Sequence, residues 1–374
     1  MIFDYGFSIQ GKSHVLNRTE CQDAFCIRRL ENGWYVGAAA DGVGSCENAA
    51  VGSTLAVKTL VDFICECMPY DDNLPSIKSM LRTAYNYALK TILNEADEEN
   101  PAESFETTLS VVLYDGKRVI YAHCGDGAIL GLNTFGELVE IAAPQKGEDG
   151  ISVIPLRKGY RYWEIDVYEE DLAAVFLVTD GMLDALKPYL MRLQSDASGE
   201  CPAKYSPSEF YVPLGLWFAD PAGIPKDEKG ICLLKEEMEA FVKAEPSYDR
   251  ERFYERLKTI YRQRVPQHAE EYIDELKTKD YARILMDGCW DDKTVAGFIN
   301  TEVTVDSQPE EYYKEPDWDA LQEIWDQKAY PAKYRDTDET RCRKWLKKWT
   351  CLLKPNPQGQ AECEVQDGAE LEEN

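Results

Sequence analysis

Histidine is scarce in this chain, because only 3 of its 374 residues are histidine. The 12 cysteines form no CxxC pair and no zinc-finger spacing, which excludes the usual zinc sites of cysteine and histidine. Basic residues are also in the minority: 41 Lys and Arg stand against 68 Asp and Glu, for a formal net charge of −27. Such a chain repels nucleic acid, so nucleic-acid binding is not expected as its main function.

Long apolar runs are absent as well. No stretch is long enough to cross a bilayer, and the first residues, MIFDYGFSIQGKSH, lack the basic start and apolar core of a signal peptide. We therefore expect a cytoplasmic, monomeric protein with reduced thiols. What the chain does have is globular composition, with 44% hydrophobic and 11% aromatic residues, and enough length for a substantial core.

The periodicity of the apolar residues predicts an α+β fold. Helical stripes predict two consecutive helices over 53–67 and 76–95. Four short strand patterns between 107 and 142, joined by turn sequences, are typical of an antiparallel meander. Further strands are predicted at 173–179 and 293–300. The last strand needs partners from the first part of the chain, so the material before it reads as an insertion into one domain.

Four aspartates stand at the ends of predicted strands. Asp41, Asp126 and Asp180 each follow an apolar strand and precede a glycine, and Asp291 comes just before the last strand. Taken singly, each reads equally well as a turn residue. Four carboxylates that converged from separate strands would repel one another unless cations neutralised them. Because oxygen donors suit Mg²⁺ or Mn²⁺, the pattern predicts a paired metal site that activates water against a phosphoryl group.

Six short motifs follow one another along the chain. They are RTECQD at 18–23, ADGVGS at 40–45, TTL at 107–109, CGDGAI at 124–129, VTDG at 178–181 and WDDKT at 290–294. In order and spacing they resemble the protein phosphatase 2C family of metal-dependent serine/threonine phosphatases, of the bacterial type. The resemblance covers about residues 1–300 and implies a four-layer α-β-β-α sandwich of two antiparallel sheets flanked by helix pairs. It also implies hydrolysis of phosphoserine and phosphothreonine on proteins, by a water that the metals activate.

The resemblance further implies the metal ligands. Asp41 matches the aspartate that bridges two metal ions, and Gly42 matches the glycine whose carbonyl joins the second. Asp180 and Asp291 match the remaining carboxylates of the first metal. Asp126 matches a position that, together with Asp180, could hold a third and weaker ion. The implied cofactors are two Mn²⁺ or Mg²⁺ ions, with room for this third one.

Arg18 matches an arginine that grips the substrate phosphate, a task that suits a guanidinium fork. Two positions depart from the family pattern. Gln22 replaces a glutamate near the second metal, so we expect that metal to bind more weakly or to rely on Asp23. Val43 replaces a histidine thought to protonate the leaving group, although bacterial-type members often lack it.

No other general acid is evident from the sequence. His14 and His123 lie near the motifs along the chain, but each reads more readily as an ordinary loop or strand residue. The departures keep a second function open, a phosphatase-fold module that binds phosphoproteins with little or no turnover.

The segment 195–288 predicts an enlarged flap insertion within a catalytic domain of residues 1–300. Its aromatic residues fit either a substrate-docking surface or, more readily, the core of the insertion itself. These residues are Phe210, Tyr211, Trp217 and Phe218.

Residues 301–374 predict a C-terminal extension. Within it, the basic amphipathic segment 341–354 fits a membrane surface, a partner's groove or the acidic domain of its own chain. The acidic end, AECEVQDGAELEEN, has the composition of a disordered tail.

Overall fold

The computed structural model describes residues 1–69, 73–148, 152–188, 210–244, 248 and 250–320. The chain divides into two compact units, Met1–Trp318 and Asp319–Asn374, so the described elements belong almost entirely to the first. The predicted basic segment 341–354 and the acidic end both lie outside the described residues. The predicted division at residue 300 stays a prediction.

In the part of the chain that the structure describes, ten strands form two antiparallel sheets of five strands each. The first sheet has the order β1 (Ile2–Ile9), β10 (Lys293–Asn300), β9 (Leu172–Val178), β6 (Ala128–Asn133) and β7 (Leu138–Ala142). The second has the order β2 (Ala24–Arg29), β3 (Tyr35–Ala40), β4 (Leu109–Tyr114), β5 (Val119–Cys124) and β8 (Glu164–Tyr168).

The last strand takes its partners from earlier parts of the chain, as expected. In β10, Val295 pairs with Phe7 of β1 on one side and with Val178 of β9 on the other. The residues of β10 from Lys293 to Ile299 are buried, and a strand covered on both faces reads as a nearly continuous apolar run, which is why 293–300 is recognisable as a strand.

Apolar side chains from both sheets fill the space between them. Val112 and Tyr114 of the second sheet share this core with Ile129, Leu177 and Phe298 of the first, and all five are fully buried. Successive side chains of a strand point to opposite faces of its sheet. One set therefore faces the other sheet, and the other set faces the helices.

Helices cover the outer faces. The helices α2 (Ala49–Cys67) and α3 (Leu74–Glu95) pack together on the second sheet, and their buried stripes, including Leu60 and Leu81, form a core with that sheet. The helix α4 (Asp180–Leu186) lies against β9 and β10 of the first sheet. The four-layer sandwich is thus confirmed.

The predicted meander is wrong as a single unit. The strands β4 and β5 pair in the second sheet, whereas β6 and β7 pair in the first. The chain crosses between the sheets at Gly125, whose φ is +128°. Every residue of β4, β5 and β6 is buried, so their sequences carry no alternation that would tell a hairpin from a crossing between sheets.

The insertion forms a helical layer on the first sheet. The helices among its described residues are α5 (Val212–Ala219), α6 (Glu228–Val242), α7 (Arg250–Arg264), α8 (Ala269–Lys279) and α9 (Tyr281–Gly288). The helix α5 contacts β6, β7 and β9, and α6 contacts β1. Among the described residues, no helix is both long and apolar enough to span a membrane.

The aromatic residues of the insertion form its core. Phe210, Tyr211, Trp217 and Phe218 are each at most 4% exposed. The ring of Trp217 packs on Phe218 at 5.0 Å between centroids. The docking surface that these residues could have formed is therefore ruled out.

Candidate active site

One end of the sandwich gathers the aspartates that the sequence singled out. Asp41 directly follows β3, Asp126 lies between β5 and β6, Asp180 begins α4 after β9, and Asp291 precedes β10. All four line one cavity of about 320 Å³. Carboxylate oxygens of Asp41, Asp126 and Asp180 all lie within 4.8 Å of one another. Residues far apart in the chain therefore meet in a single pocket.

Hydrogen bonds hold the backbone at Asp41 in place. Its N–H donates to Oγ1 of Thr108 at 2.8 Å, and its carbonyl accepts from the N–H of Thr108 at 2.8 Å and the hydroxyl of Thr107 at 2.9 Å. The next residue, Gly42, donates its N–H to the carbonyl of Gln22 at 3.1 Å. A Cβ at Gly42 would lie 2.8 Å from that carbonyl oxygen, so the close approach requires glycine.

Burial and like charge raise the pKa values of the clustered carboxyls. For Asp41, burial is the largest cause of a strongly raised pKa, followed by the charges of Asp23 and Asp180. Burial, together with Asp126 and Asp291, raises the pKa of Asp180 to about 8. Burial is also the main cause that raises the pKa of Asp23 to about 7. The cluster is therefore costly to ionise without positive charge nearby.

The site has the donors that a hard divalent cation needs. The three clustered ligand groups are all carboxylates, and two buried oxygens, Oδ1 of Asp126 and Oε1 of Gln22, have no hydrogen-bond partner among the described residues. Oxygen donors of this kind suit Mg²⁺ and Mn²⁺. The residues present thus fit a divalent-metal site, and an ion here would relieve the repulsion among the carboxylates.

The family model for protein phosphatase 2C matches residues 10–199, just over half of the chain. The chain belongs to the protein phosphatase 2C family. Its membership of this family supports a phosphatase function. The match includes Asp41, Asp126 and Asp180, whereas Asp291 lies beyond it. No curated protein sequence matches the chain.

Several solved phosphatases are similar in fold to this phosphatase 2C protein. The serine/threonine phosphatase Stp1 of Staphylococcus aureus is 14% identical, with a TM-score of 0.44, over 80% of this chain and 95% of that one. The S. agalactiae serine/threonine phosphatase is 13% identical, with a TM-score of 0.47, over 80% and 99%. The catalytic domain of PstP, in complex with two manganese ions, is 16% identical, with a TM-score of 0.43, over 80% and 99%.

Two of the expected phosphatase 2C site residues lie outside the cavity lining. Asp23 is buried, and its Oδ2 accepts a hydrogen bond from Oγ1 of Thr179 at 2.8 Å. Arg18 is exposed at the end of the helix α1 (Lys12–Asn17), with a left-handed φ of 59°. The residues on either side of it, Asn17 and Thr19, do line the cavity. Arg18 therefore lies at the rim of the pocket.

Lys146 is a charged neighbour that the sequence did not indicate. Its Nζ lies 2.6 Å from Oδ2 of Asp126. Nothing in the stretch around Lys146 resembles a family motif, and its approach to Asp126 depends on how the loop after β7 folds back. This contact supplies positive charge at the carboxylate that had been matched to the third metal.

The two candidate histidines have different surroundings. His123 is fully buried in β5, where its Nδ1 lies 2.8 Å from Oγ of Ser110, and burial lowers its pKa to about 4. It is a core residue, as expected. His14 lies in α1 and lines the cavity that contains the aspartates.

Proposed function

We propose that this chain hydrolyses phosphoserine and phosphothreonine in proteins by attack of a metal-activated water. The main support is that carboxylate oxygens of Asp41, Asp126 and Asp180 lie within 4.8 Å of one another in one cavity. The chain also belongs to the protein phosphatase 2C family. The substrate is a phosphoprotein, and the cofactor is Mn²⁺ or Mg²⁺.

The metal ligands that we propose are the carboxylates of Asp41, Asp180 and Asp291 and the backbone carbonyl of Gly42. Asp23 is proposed as a further carboxylate on which the second metal relies. Two divalent ions, when bound, supply a water of lowered pKa and neutralise the charge of the phosphate. The chain's own contribution is the placement of the carboxylates, because they lie at strand ends and because paired hydrogen bonds fix the backbone of Asp41.

Arg18 is proposed to bind the phosphate from the rim. It is exposed between two residues that line the cavity, and a guanidinium binds phosphate oxygens in a bidentate manner. Asp126 is proposed to hold a third ion with Asp180 only when it releases Lys146, since the ammonium already lies 2.6 Å from the carboxylate.

The direct test measures phosphate release from phosphoserine and phosphothreonine peptides with Mn²⁺, with Mg²⁺ and with chelator. We expect turnover that requires the ion and that falls at least about 1,000-fold in Asp41→Ala and Asp180→Ala, because each variant loses a proposed metal ligand. The matched control is Asp62→Asn, at an exposed aspartate of α2, which is expected to keep full activity.

Retained turnover in Asp41→Ala or Asp180→Ala would remove the metal-site assignment. Absence of any metal-stimulated phosphate release by the intact chain, together with binding of phosphopeptides, would favour the alternative of an inactive binding module.

A further inference from the structure

The helix α1 carries a cluster of contacts to the segment that precedes β10. The N–H and the hydroxyl of Ser13 both donate to the carbonyl of Trp290, at 3.0 and 2.8 Å. A Cβ at Gly11 would lie 2.3 Å from the backbone of Asp291, so the two segments are in direct backbone contact. This short helix is therefore fixed beside one of the candidate metal ligands.

Asp292 ties both ends of the loop that contains α1. Its Oδ1 accepts from the N–H of Gly11 at 2.6 Å, and its Oδ2 accepts from the N–H of Gln22 at 2.6 Å. The carboxylate is 3% exposed. These charge-assisted hydrogen bonds set the position of everything between Gly11 and Gln22, which includes His14.

The imidazole of His14 lies against the same carboxylate. Its Nδ1 is buried and lies 2.8 Å from Oδ2 of Asp292, although the two groups are not aligned as a regular hydrogen bond. The side chain is 14% exposed and lines the cavity. With Nδ1 held by Asp292, Nε2 is the nitrogen left to reach a ligand in the cavity.

Among the residues that line the cavity, His14 carries the one imidazole, the side chain that enzymes use most often to transfer protons. The other residues around it, such as Ser13, Asn17 and Thr19, carry hydroxyl and amide groups that give up no proton near neutral pH. The clustered carboxylates are needed as anions for metal binding. Val43 lines the same cavity, but its apolar side chain has no proton to donate.

We propose that His14 is a catalytic residue, the general acid that protonates the leaving serine or threonine oxygen, and that Asp292 positions it. This inference rests on the proposed phosphatase function. The water oxygen forms a bond to phosphorus while the bond from phosphorus to the serine oxygen breaks. The electron pair of that bond stays on the serine oxygen, which takes the proton from Nε2. One proton of the water is lost to solvent, the other stays on the phosphate, and solvent reprotonates His14.

The test compares two substrates that differ in their need for a proton. An alkoxide leaving from a phosphoserine peptide needs protonation, whereas the nitrophenolate of p-nitrophenyl phosphate leaves readily as an anion. The variant His14→Asn is informative, because its amide nitrogen can keep the contact that Nδ1 makes with Asp292 while Nε2 is lost. We expect its kcat to fall about 100- to 10,000-fold on the peptide and less than about 10-fold on the aryl phosphate.

A purely structural role for His14 predicts a different result, with His14→Asn active on both substrates or impaired equally on both. Either outcome would overturn the assignment. His14→Gln, which loses the Asp292 contact too, is the second variant, and we expect the same selective loss. The matched control is His268→Gln, because His268 is the remaining histidine, pairs with Glu310 and is not among the residues that line the cavity.

Metal binding separates failure of this inference from failure of the proposed function. Titration calorimetry with Mn²⁺ should give the same affinity, within about 2-fold, for the intact chain and for His14→Asn, since the variant changes no proposed ligand. An intact chain that hydrolyses neither substrate refutes the phosphatase function itself. An intact chain active on both, with His14→Asn unchanged on the peptide, refutes only the role of His14.

Discussion

Asp41 shows at the scale of one residue how a functional site conflicts with stability. The carboxylate is surrounded by other carboxylates, and its pKa is raised by burial first and by those charges second. Two unit charges 4.8 Å apart repel by about 3 kcal/mol at an effective dielectric constant near 20. The fold tolerates this repulsion because hydrogen bonds with Thr107 and Thr108 fix the backbone of Asp41.

Removing that charge should stabilise the protein when no metal is bound. In chelator we expect Asp41→Asn to raise the free energy of unfolding by about 1–2 kcal/mol, because it removes like-charge repulsion and keeps the side-chain shape. Chemical denaturation with chelator, and again with Mn²⁺, measures the effect. With Mn²⁺ present, the unaltered protein should have the higher free energy of unfolding, because an ion that binds only the folded state stabilises the intact site more than the variant.

The control for this comparison is Asp62→Asn, which changes an exposed aspartate and should alter neither measurement by more than about 0.5 kcal/mol. If Asp41→Asn is less stable than the unaltered protein in chelator, the carboxylate cluster does not carry the repulsion that its geometry implies.

The contact that His14 makes in the folded protein cannot be predicted from the sequence around it. Its neighbours in the sequence indicate an ordinary loop residue, because a histidine in a polar loop is seldom catalytic. Its contact is with Asp292, a residue 278 positions further along the chain, and no local pattern records such a distance. Lys146 was overlooked for the same reason, whereas Asp126, which it contacts, was recognisable from its strand end and following glycine.

At the scale of elements, α1 and the loop around it depend on close backbone packing. Gly11 contacts the backbone of Trp290 and Asp291, and a Cβ there would lie within 2.6 Å of three backbone atoms. Because backbone atoms cannot move aside as a flexible side chain does, any larger residue would push α1 away from Asp291.

We therefore expect Gly11→Ala to lower the free energy of unfolding by about 1–3 kcal/mol. It should also lower kcat about 100-fold, since a shift of about 1 Å in the position of a reacting group has that effect. Denaturation and phosphopeptide turnover measure the two quantities. No functional group is removed, so a loss of activity reports the position of α1 alone.

Gly288→Ala is the matched control, because nothing lies within 4 Å of the position where its Cβ would be. It ends the helix α9, and alanine should be neutral there. Full activity and stability of Gly11→Ala would contradict the tight packing of α1 on the segment before β10.

At the scale of the whole molecule, a buried ion pair lies within the insertion, and hydrogen bonds connect the insertion to β1 and to the chain after β10. Arg264, at the end of α7, donates from Nε and Nη2 to the two carboxylate oxygens of Asp220, each at 2.8 Å. It also donates to the carbonyl of Val305, which follows β10. Tyr5 of β1 donates its hydroxyl to the carbonyl of Phe218 at 3.0 Å. The insertion and the sheet should therefore unfold together.

We expect Asp220→Asn to lower the free energy of unfolding by about 3–5 kcal/mol, because it leaves the buried charge of Arg264 without its counter-ion. Asp220 is 0% and Arg264 8% exposed. Chemical denaturation followed by tryptophan fluorescence and by circular dichroism gives the size of the loss and tests whether both signals change in one transition.

Asp227→Asn serves as control, since this exposed aspartate caps α6 by accepting from the N–H of Gly230 and asparagine caps nearly as well. Two separated transitions in the unaltered protein would mean that the insertion is an independent unit.

The sequence alone determined which residues lie at strand ends, because alternation, apolar runs and Asp-Gly turns are relations between neighbours in the chain. Asp41, Asp126, Asp180 and Asp291 were found that way. Only the tertiary structure decided that β5 and β6 belong to different sheets. It likewise decided that Lys146 contacts Asp126 and that His14 contacts Asp292. Those contacts form when two sheets and an inserted helical layer pack together, and packing over such separations leaves no periodic trace in the sequence.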